Sequence, residues 1–242
     1  MARDETEQLR HNALQRSYYE TRPIAHNHRM VLDRSPYVQN HVDHMIAFAG
    51  LRPGQRILDV GCGMGKFTIP LRERGLDVEA FDLSPRLLEM LSAGDPSIPT
   101  ICGDVQQIDP AHYGKYDRVV GFFMLHHIYD LTKSFDQFDK LIAPGGRVSN
   151  IEPKPNRPLF WIQVTVMPTM SWKAEKGIFN LGRRNLTDIM TRSGLKNPEI
   201  SQYGILPPFA RNARGGAAFE RAFDRIAPLR PVAAFRRIGA GI

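Results

Sequence analysis

Ile57-Leu58-Asp59-Val60-Gly61-Cys62-Gly63-Met64-Gly65 runs from an apolar stretch straight into three alternating glycines. A short apolar run bounded by turn residues reads as a buried parallel strand. The turn Arg52-Pro53-Gly54-Gln55 precedes it, so a strand is predicted over Arg56–Val60. Glycines at alternate positions let backbone approach a ligand closely and adopt positive φ. A helix predicted from Lys66 to Arg74, stopped by Gly75, would point its first free N–H groups into the same space.

Outward from this stretch, strands and helices alternate. Val78–Asp82 reads as a second strand, and Ser84-Pro85 as the cap and first position of a helix burying Leu87, Leu88 and Leu91. Further strands are predicted over Pro99–Asp104, Tyr116–Met124 and Arg147–Ile151. A helix over 132–142 is closed by Pro144-Gly145-Gly146. Upstream lie a polar helix over 4–20 and a second helix over 36–49, started by Pro36 and striped by Val38, Val42, Ile46 and Phe48. This alternation predicts an α/β fold, a Rossmann-like, doubly wound, mostly parallel sheet with helices on both faces.

Beyond Pro153 the pattern loosens. Residues 154–182 are rich in aromatics and methionines and read as an insertion over the sheet. A helix over 183–194, a strand over 198–206, a helix over 216–225 and a strand over 232–238 complete the prediction.

Glycine spacing separates two kinds of nucleotide loop. A dinucleotide fingerprint, G-x-G-x-x-G counted from Gly61, requires glycine at position 66, where this chain has Lys66. Asp82 closes the second strand 21 residues after Gly61, where a carboxylate can accept both ribose hydroxyls. Asp104 closes the third strand.

Asp59-Val60-Gly61-Cys62-Gly63-Met64-Gly65 resembles the D/E-x-G-x-G-x-G motif of the class I S-adenosylmethionine (SAM)-dependent methyltransferases. The resemblance spans roughly 36–153, taking in Asp82, Asp104, the Tyr116–His127 segment and the Leu141–Gly146 run. It implies SAM as cofactor and S-adenosyl-L-homocysteine as product. It also implies a cofactor loop of Gly61, Cys62 and Gly63 oriented by Asp59. Asp104 would receive the adenine amino group, Leu83 and Val105 would flank the adenosine, and Phe122 would lie along the methionine moiety. His127, and after it His126, are the candidate general bases, because both follow the fourth strand near the methyl end. No metal is expected: Phe123 and His126 stand where the metal-dependent relatives carry acids, leaving His127 alone. The chain is then one domain over 1–242, with a helical lid (1–50), a SAM-binding core (51–153) and a substrate-covering part (154–242).

Composition bounds the partners. Residues 1–150 carry 17 basic and 19 acidic residues, and residues 151–242 carry 15 basic and 6 acidic, so the net charge of +7 resides in the C-terminal part. An acidic or phosphate-bearing acceptor would suit Arg183, Arg184, Arg211 and Arg214 if they converge. No nucleic-acid motif accompanies the charge. No apolar run is long enough to span a membrane, although a basic C-terminal part is compatible with peripheral membrane contact. Two cysteines, Cys62 and Cys102, and no signal-like start lead to an expectation of a reducing cytoplasm.

The expected function is methyl transfer to a small-molecule acceptor, a hydroxyl in a biosynthetic intermediate. The alternatives are a lipid or other anionic acceptor met through the basic part, or a non-catalytic nucleotide-binding module. Tyr18, Tyr19 and Tyr37 are candidate lid residues, and His26 and His28 form a second histidine pair.

Overall fold

The computed structural model describes residues 2–21, 33–153, 161, 164–165, 172–193, 195–203, 211–216, 218 and 232–238. Strand β1 (Arg56–Val60) is buried from Ile57 to Val60 because it lies in the middle of the sheet. β2 (Asp77–Asp82) and β4 (Tyr116–Phe122) flank it, both parallel to it. With β3 (Thr100–Cys102), β5 (Ile142–Pro153), β6 (Lys196–Tyr203) and β7 (Val232–Ile238), the strand order is β3-β2-β1-β4-β5-β7-β6. The first five strands run parallel, while β7 is antiparallel to both β5 and β6.

Alternation along β1 feeds two cores. Ile57 packs with Val38, Val42 and Met45 of helix α2 (Pro36–Ala49) and with Leu71 of α3 (Thr68–Glu73). Leu58 points to the other face, into the cluster of Phe135, Phe138 and Leu141 from α5 (Leu131–Leu141). Helix α4 (Pro85–Gly94) covers β2 and β3 with Leu88 and Leu91. Helix α7 (Arg183–Arg192) contributes Leu186 and Met190 beside α5. Helix α1 (Ala2–Glu20) and the single turn α6 (Trp172–Glu175) are also among the described residues.

Local chemistry sets the boundaries. The side chain of Ser35 caps α2 through the Val38 N–H, and Gly50 ends it in the left-handed conformation, φ 65°. Ser84 caps α4 through the Leu87 N–H, with Pro85 at the first position. The helix expected from Lys66 starts at Thr68 instead. Gly65, at φ 82° and bonded to the Cys62 carbonyl, makes a turn that absorbs Lys66 and Phe67. β4 stops two residues earlier than expected because Phe123 takes φ 57°, breaking the extended backbone. β5 begins at Ile142 and includes the glycine pair expected as a turn. β6 covers Lys196–Tyr203 rather than 198–206, and β7 matches its predicted span.

Of the helix expected over 216–225, only Gly216 and Ala218 are described. His26, His28 and the segment 204–209 lie outside the described residues.

Candidate active site

The order of strands reverses between β1 and β4, and in open α/β sheets ligands gather beyond the carboxyl ends at such a point. Gly61 and Gly63 both take left-handed φ there, 70° and 56°. Gly61 N–H bonds back to the Phe81 carbonyl at 2.7 Å, tying the loop to β2. A Cβ on Gly61 would meet Met124 at 2.7 Å, so the loop after β1 touches the segment after β4. A Cβ on Gly63 would meet nothing within 4 Å, so the loop presents bare backbone to open space.

Asp82 organises this loop. Its Oδ2 accepts the Gly63 N–H at 2.8 Å and its Oδ1 accepts the Ser84 N–H at 2.9 Å. Burial raises its pKa, against the lowering effect of those backbone N–H groups. A carboxylate has about four acceptor positions, so two remain for a ribose. Asp59 is buried at the end of β1 and accepts the Thr68 hydroxyl at 2.6 Å. Burial, opposed by that hydrogen bond and reinforced by the charge of Asp82, lifts its pKa to about 7. Cys62 is buried beside both acids, and burial pushes its thiol well above the usual range, so the residue is inert.

Asp104 is engaged by helix α1 and by its own loop. Its Oδ2 accepts Gln8 Nε2 and Asn12 Nδ2, each at 2.7 Å. Its Oδ1 accepts the backbone and side-chain N–H groups of Gln106 at 2.9 and 3.3 Å. The carboxylate is already saturated by α1 and its own loop. Helix α1 also donates from Arg16 to the Leu83 carbonyl at 3.2 Å and receives the Ser84 hydroxyl on Glu20 at 2.5 Å. Val105 packs against the core, half-buried. Phe122 is buried with its ring stacked on Phe67 at 4.4 Å, so that face is occupied by protein.

The two histidines sit on a 3₁₀ turn, Leu125–His127, just beyond β4. They look in different directions. His127 is half-buried, and its Nε2 lies 2.7 Å from the Tyr19 hydroxyl of α1. His11 of α1 donates to the His127 carbonyl at 2.7 Å. Tyr18 packs edge-on against Tyr19, whereas Tyr37 packs on His41 of its own helix, away from this contact. Arg183, Arg184 and Arg214 are exposed, and Arg211 is half-buried.

His126 is buried between two carboxylates. Its Nδ1 lies 2.6 Å from Glu152 at the end of β5, and its Nε2 lies 3.3 Å from Glu175 of α6. Burial alone would depress its pKa, but the charge and hydrogen bond of Glu152, then Glu175, outweigh it and raise it to about 9. Glu152 Oε1 also accepts the N–H groups of Met124 and Leu125, at 2.8 and 2.7 Å. Sequence reasoning missed both glutamates. It also left His127 alone as a ligand candidate, whereas one nitrogen each from His126 and His127 and an oxygen of Glu175 lie within 4.8 Å of one another. Those three could hold a divalent ion. Binding there would require His126 to give up its Nε2 proton, which the charges of Glu152 and Glu175 oppose by raising its pKa.

The 3₁₀ segment Lys176–Leu181 closes over the turn. A Cβ on Gly177 would lie 2.0 Å from the His126 carbonyl oxygen, so the two backbones are in direct contact. Gly177→Ala is expected to push the segment off the turn and cost about 1–3 kcal/mol, read as a lowered melting temperature. A melting temperature equal to that of the parent would mean the contact is slack.

The strand order, the glycine loop after β1, Asp82 at the end of β2 and Asp104 two residues beyond β3 together define a class I SAM-dependent methyltransferase fold. The chain belongs to the methyltransferase domain family, whose model matches residues 35–200. It is 30% identical over 130 residues to an uncharacterized methyltransferase of Mycobacterium tuberculosis, covering 54% of this chain and 51% of that one. It is 33% identical over 99 residues to a demethylmenaquinone methyltransferase of Renibacterium salmoninarum, covering 41% of each. Among solved structures, a Haemonchus contortus phosphoethanolamine N-methyltransferase bound to S-adenosylhomocysteine matches with a TM-score of 0.57 at 17% identity, over 83% of this chain and 52% of that one. The chain thus spans about half the length of the curated relatives it matches.

Proposed function

We propose that the protein transfers a methyl group from SAM to a hydroxyl of a small-molecule acceptor. One observation carries the reading: the bare glycine loop held by Asp82 lies against the segment after β4 that bears His127. The residues fit the cofactor in kind. Backbone at Gly61 and Gly63 leaves room for it, Asp82 retains acceptor positions for the ribose, and Leu83 and Val105 lie on the loops that follow β2 and β3. Asp104 can receive an adenine amino group only by releasing an amide of Gln8 or Asn12, so cofactor entry would loosen the contact of α1 with this loop. When bound, SAM supplies an electrophilic methyl on a sulfonium. The protein's part is to bind, to align and to take the acceptor proton.

His127 is the proton acceptor in this reading. Its Nε2 is engaged by Tyr19 of α1, so an acceptor hydroxyl would take the place that Tyr19 holds. His126 is a positioning residue, since its nitrogens are held by Glu152 and Glu175. A relative named a demethylmenaquinone methyltransferase supports a small-molecule acceptor.

The test is production of S-adenosylhomocysteine across a panel of hydroxylated acceptors. His127→Ala is expected to lower kcat by roughly 10²–10⁴-fold while SAM affinity holds. Undiminished kcat with an O-acceptor would remove His127 from the chemistry. Preference for NAD over SAM, or SAM binding without turnover on any acceptor, would overturn the proposal.

A further inference from the structure

Among the described residues four large apolar side chains stand exposed: Leu9, Trp161, Trp172 and Phe179. Three of them form one patch. Trp172 and Phe179 lie nearly parallel with centroids 6.2 Å apart, and Trp161 meets them edge-on at 5.8 and 5.5 Å. The patch holds both tryptophans of the chain.

The same segment has an opposite face. Ala174, Glu175, Ile178 and Leu181 are buried, with Glu175 against His126 and Gly177 against its carbonyl. Trp172–Leu181 is therefore a strap, with the histidine turn under one side and three aromatic rings on the other. An ordinary surface strap would carry polar residues outward, so the rings need a reason.

The charge around the patch is one-sided. Residues 172–192 contain five basic and two acidic residues. One of the acids, Glu175, is buried on His126, so Asp188 is the sole acid of this stretch at the surface, against exposed Lys176, Arg183, Arg184 and Arg192. The neighbouring residues 154–171 add Lys154 and Arg157 and no acid. Tryptophan is the side chain that gains most at a headgroup boundary, where its ring is in apolar contact and its N–H stays wet. Basic residues beside it add attraction to an anionic leaflet. A protein partner would be expected to offer some charge of each sign, and nothing here asks for that.

We propose that the Trp161–Trp172–Phe179 patch, with Lys176, Arg183 and Arg184, docks the protein on an anionic lipid surface. Docking would set the strap, and the histidine turn beneath it, at the bilayer interface. This goes beyond the methyl-transfer reading and is measured without acceptor or turnover, so failure of one leaves the other standing.

Both tryptophans report directly. On vesicles of phosphatidylcholine with phosphatidylglycerol, the full chain should co-sediment and its tryptophan emission should shift to the blue. Brominated phosphatidylglycerol should quench that emission. Pure phosphatidylcholine vesicles should bind at least about tenfold more weakly, and added salt should release the protein. Trp172→Ala and the double variant Arg183→Glu/Arg184→Glu should each weaken vesicle binding about tenfold or more. Both variants lie on the surface, and an unchanged melting temperature checks their fold. Absence of binding to anionic vesicles overturns the proposal. So does binding without a blue shift or quenching, binding that both variants retain, or tighter binding to an RNA oligonucleotide than to the vesicles.

Discussion

Asp82→Ala is expected to weaken S-adenosylhomocysteine binding by roughly 10²–10⁴-fold. The carboxylate does two jobs at once. It holds the Gly63 N–H at 2.8 Å and the Ser84 N–H at 2.9 Å, which fixes the glycine loop against the start of α4. Its remaining positions are offered to the ribose hydroxyls. Hydrogen bonds to a charged acceptor contribute about 1.5–3 kcal/mol each, and two are lost together. At about 1.4 kcal/mol per factor of ten, that gives the range stated. Asp82→Asn keeps one acceptor oxygen, and its loss should be nearer tenfold. Isothermal titration with the homocysteine product measures both variants without any acceptor. Affinity unchanged in the alanine variant would move the ribose away from β2 and undo the cofactor placement.

The central half of this fold was legible because its signals are local. Ser35-Pro36 and Ser84-Pro85 are helix starts whatever surrounds them, and both appear with their serine caps made. Ile57–Gly65 reads as strand and loop because apolar run and glycines follow each other with no intervening choice. The antiparallel placement of β7 between β5 and β6 was not legible, since its register depends on pairing with residues far away in the sequence.

In the candidate site, failures followed the same rule. Gln8, Asn12, Gln15 and Tyr19 recur at helical spacing along α1 and all point inward, to Asp104, the Ala174 carbonyl and His127. A search for apolar stripes passes over a helix whose buried face is made of amides and hydroxyls. That face has a physical consequence. α1 is docked largely by hydrogen bonds rather than apolar area, and such bonds exchange readily for water or ligand. Glu152 had a signal, an acid at the carboxyl end of a parallel strand. Glu175 had none, because only the folded insertion brings it to His126.

Glu152→Ala is expected to be the most destabilising single change at the site, by about 3–5 kcal/mol. Glu152 is buried, and its two oxygens serve three donors: the N–H groups of Met124 and Leu125 and the Nδ1 of His126. Removing it orphans all three in a dry setting and leaves an imidazolium without its main counter-charge, which is the costly way to break a buried pair. For a chain of this length the melting temperature should fall by roughly 6–20 °C. Protonation adds a second, sharper reading. The folded pKa of His126, about 9, lies above its ordinary value of 6.5, so the native state binds more protons between the two. Its contribution, up to about 3 kcal/mol, is complete below pH 6.5, erodes as pH rises and is gone above pH 9. Wild-type stability should therefore decline between pH 7.5 and 9. Asp59, with a folded pKa of about 7, has largely finished titrating by that window. The buried Cys62 thiol acts in the same direction at its upper end, but it is common to parent and variant and cancels in their difference. Glu152→Gln retains an acceptor for the backbone N–H groups and removes the charge, so its stability curve should fall less steeply than the parent's across this window. Parallel curves in urea melts across this window would show that His126 folds neutral, and the charged Glu152–His126–Glu175 bridge would have to be given up.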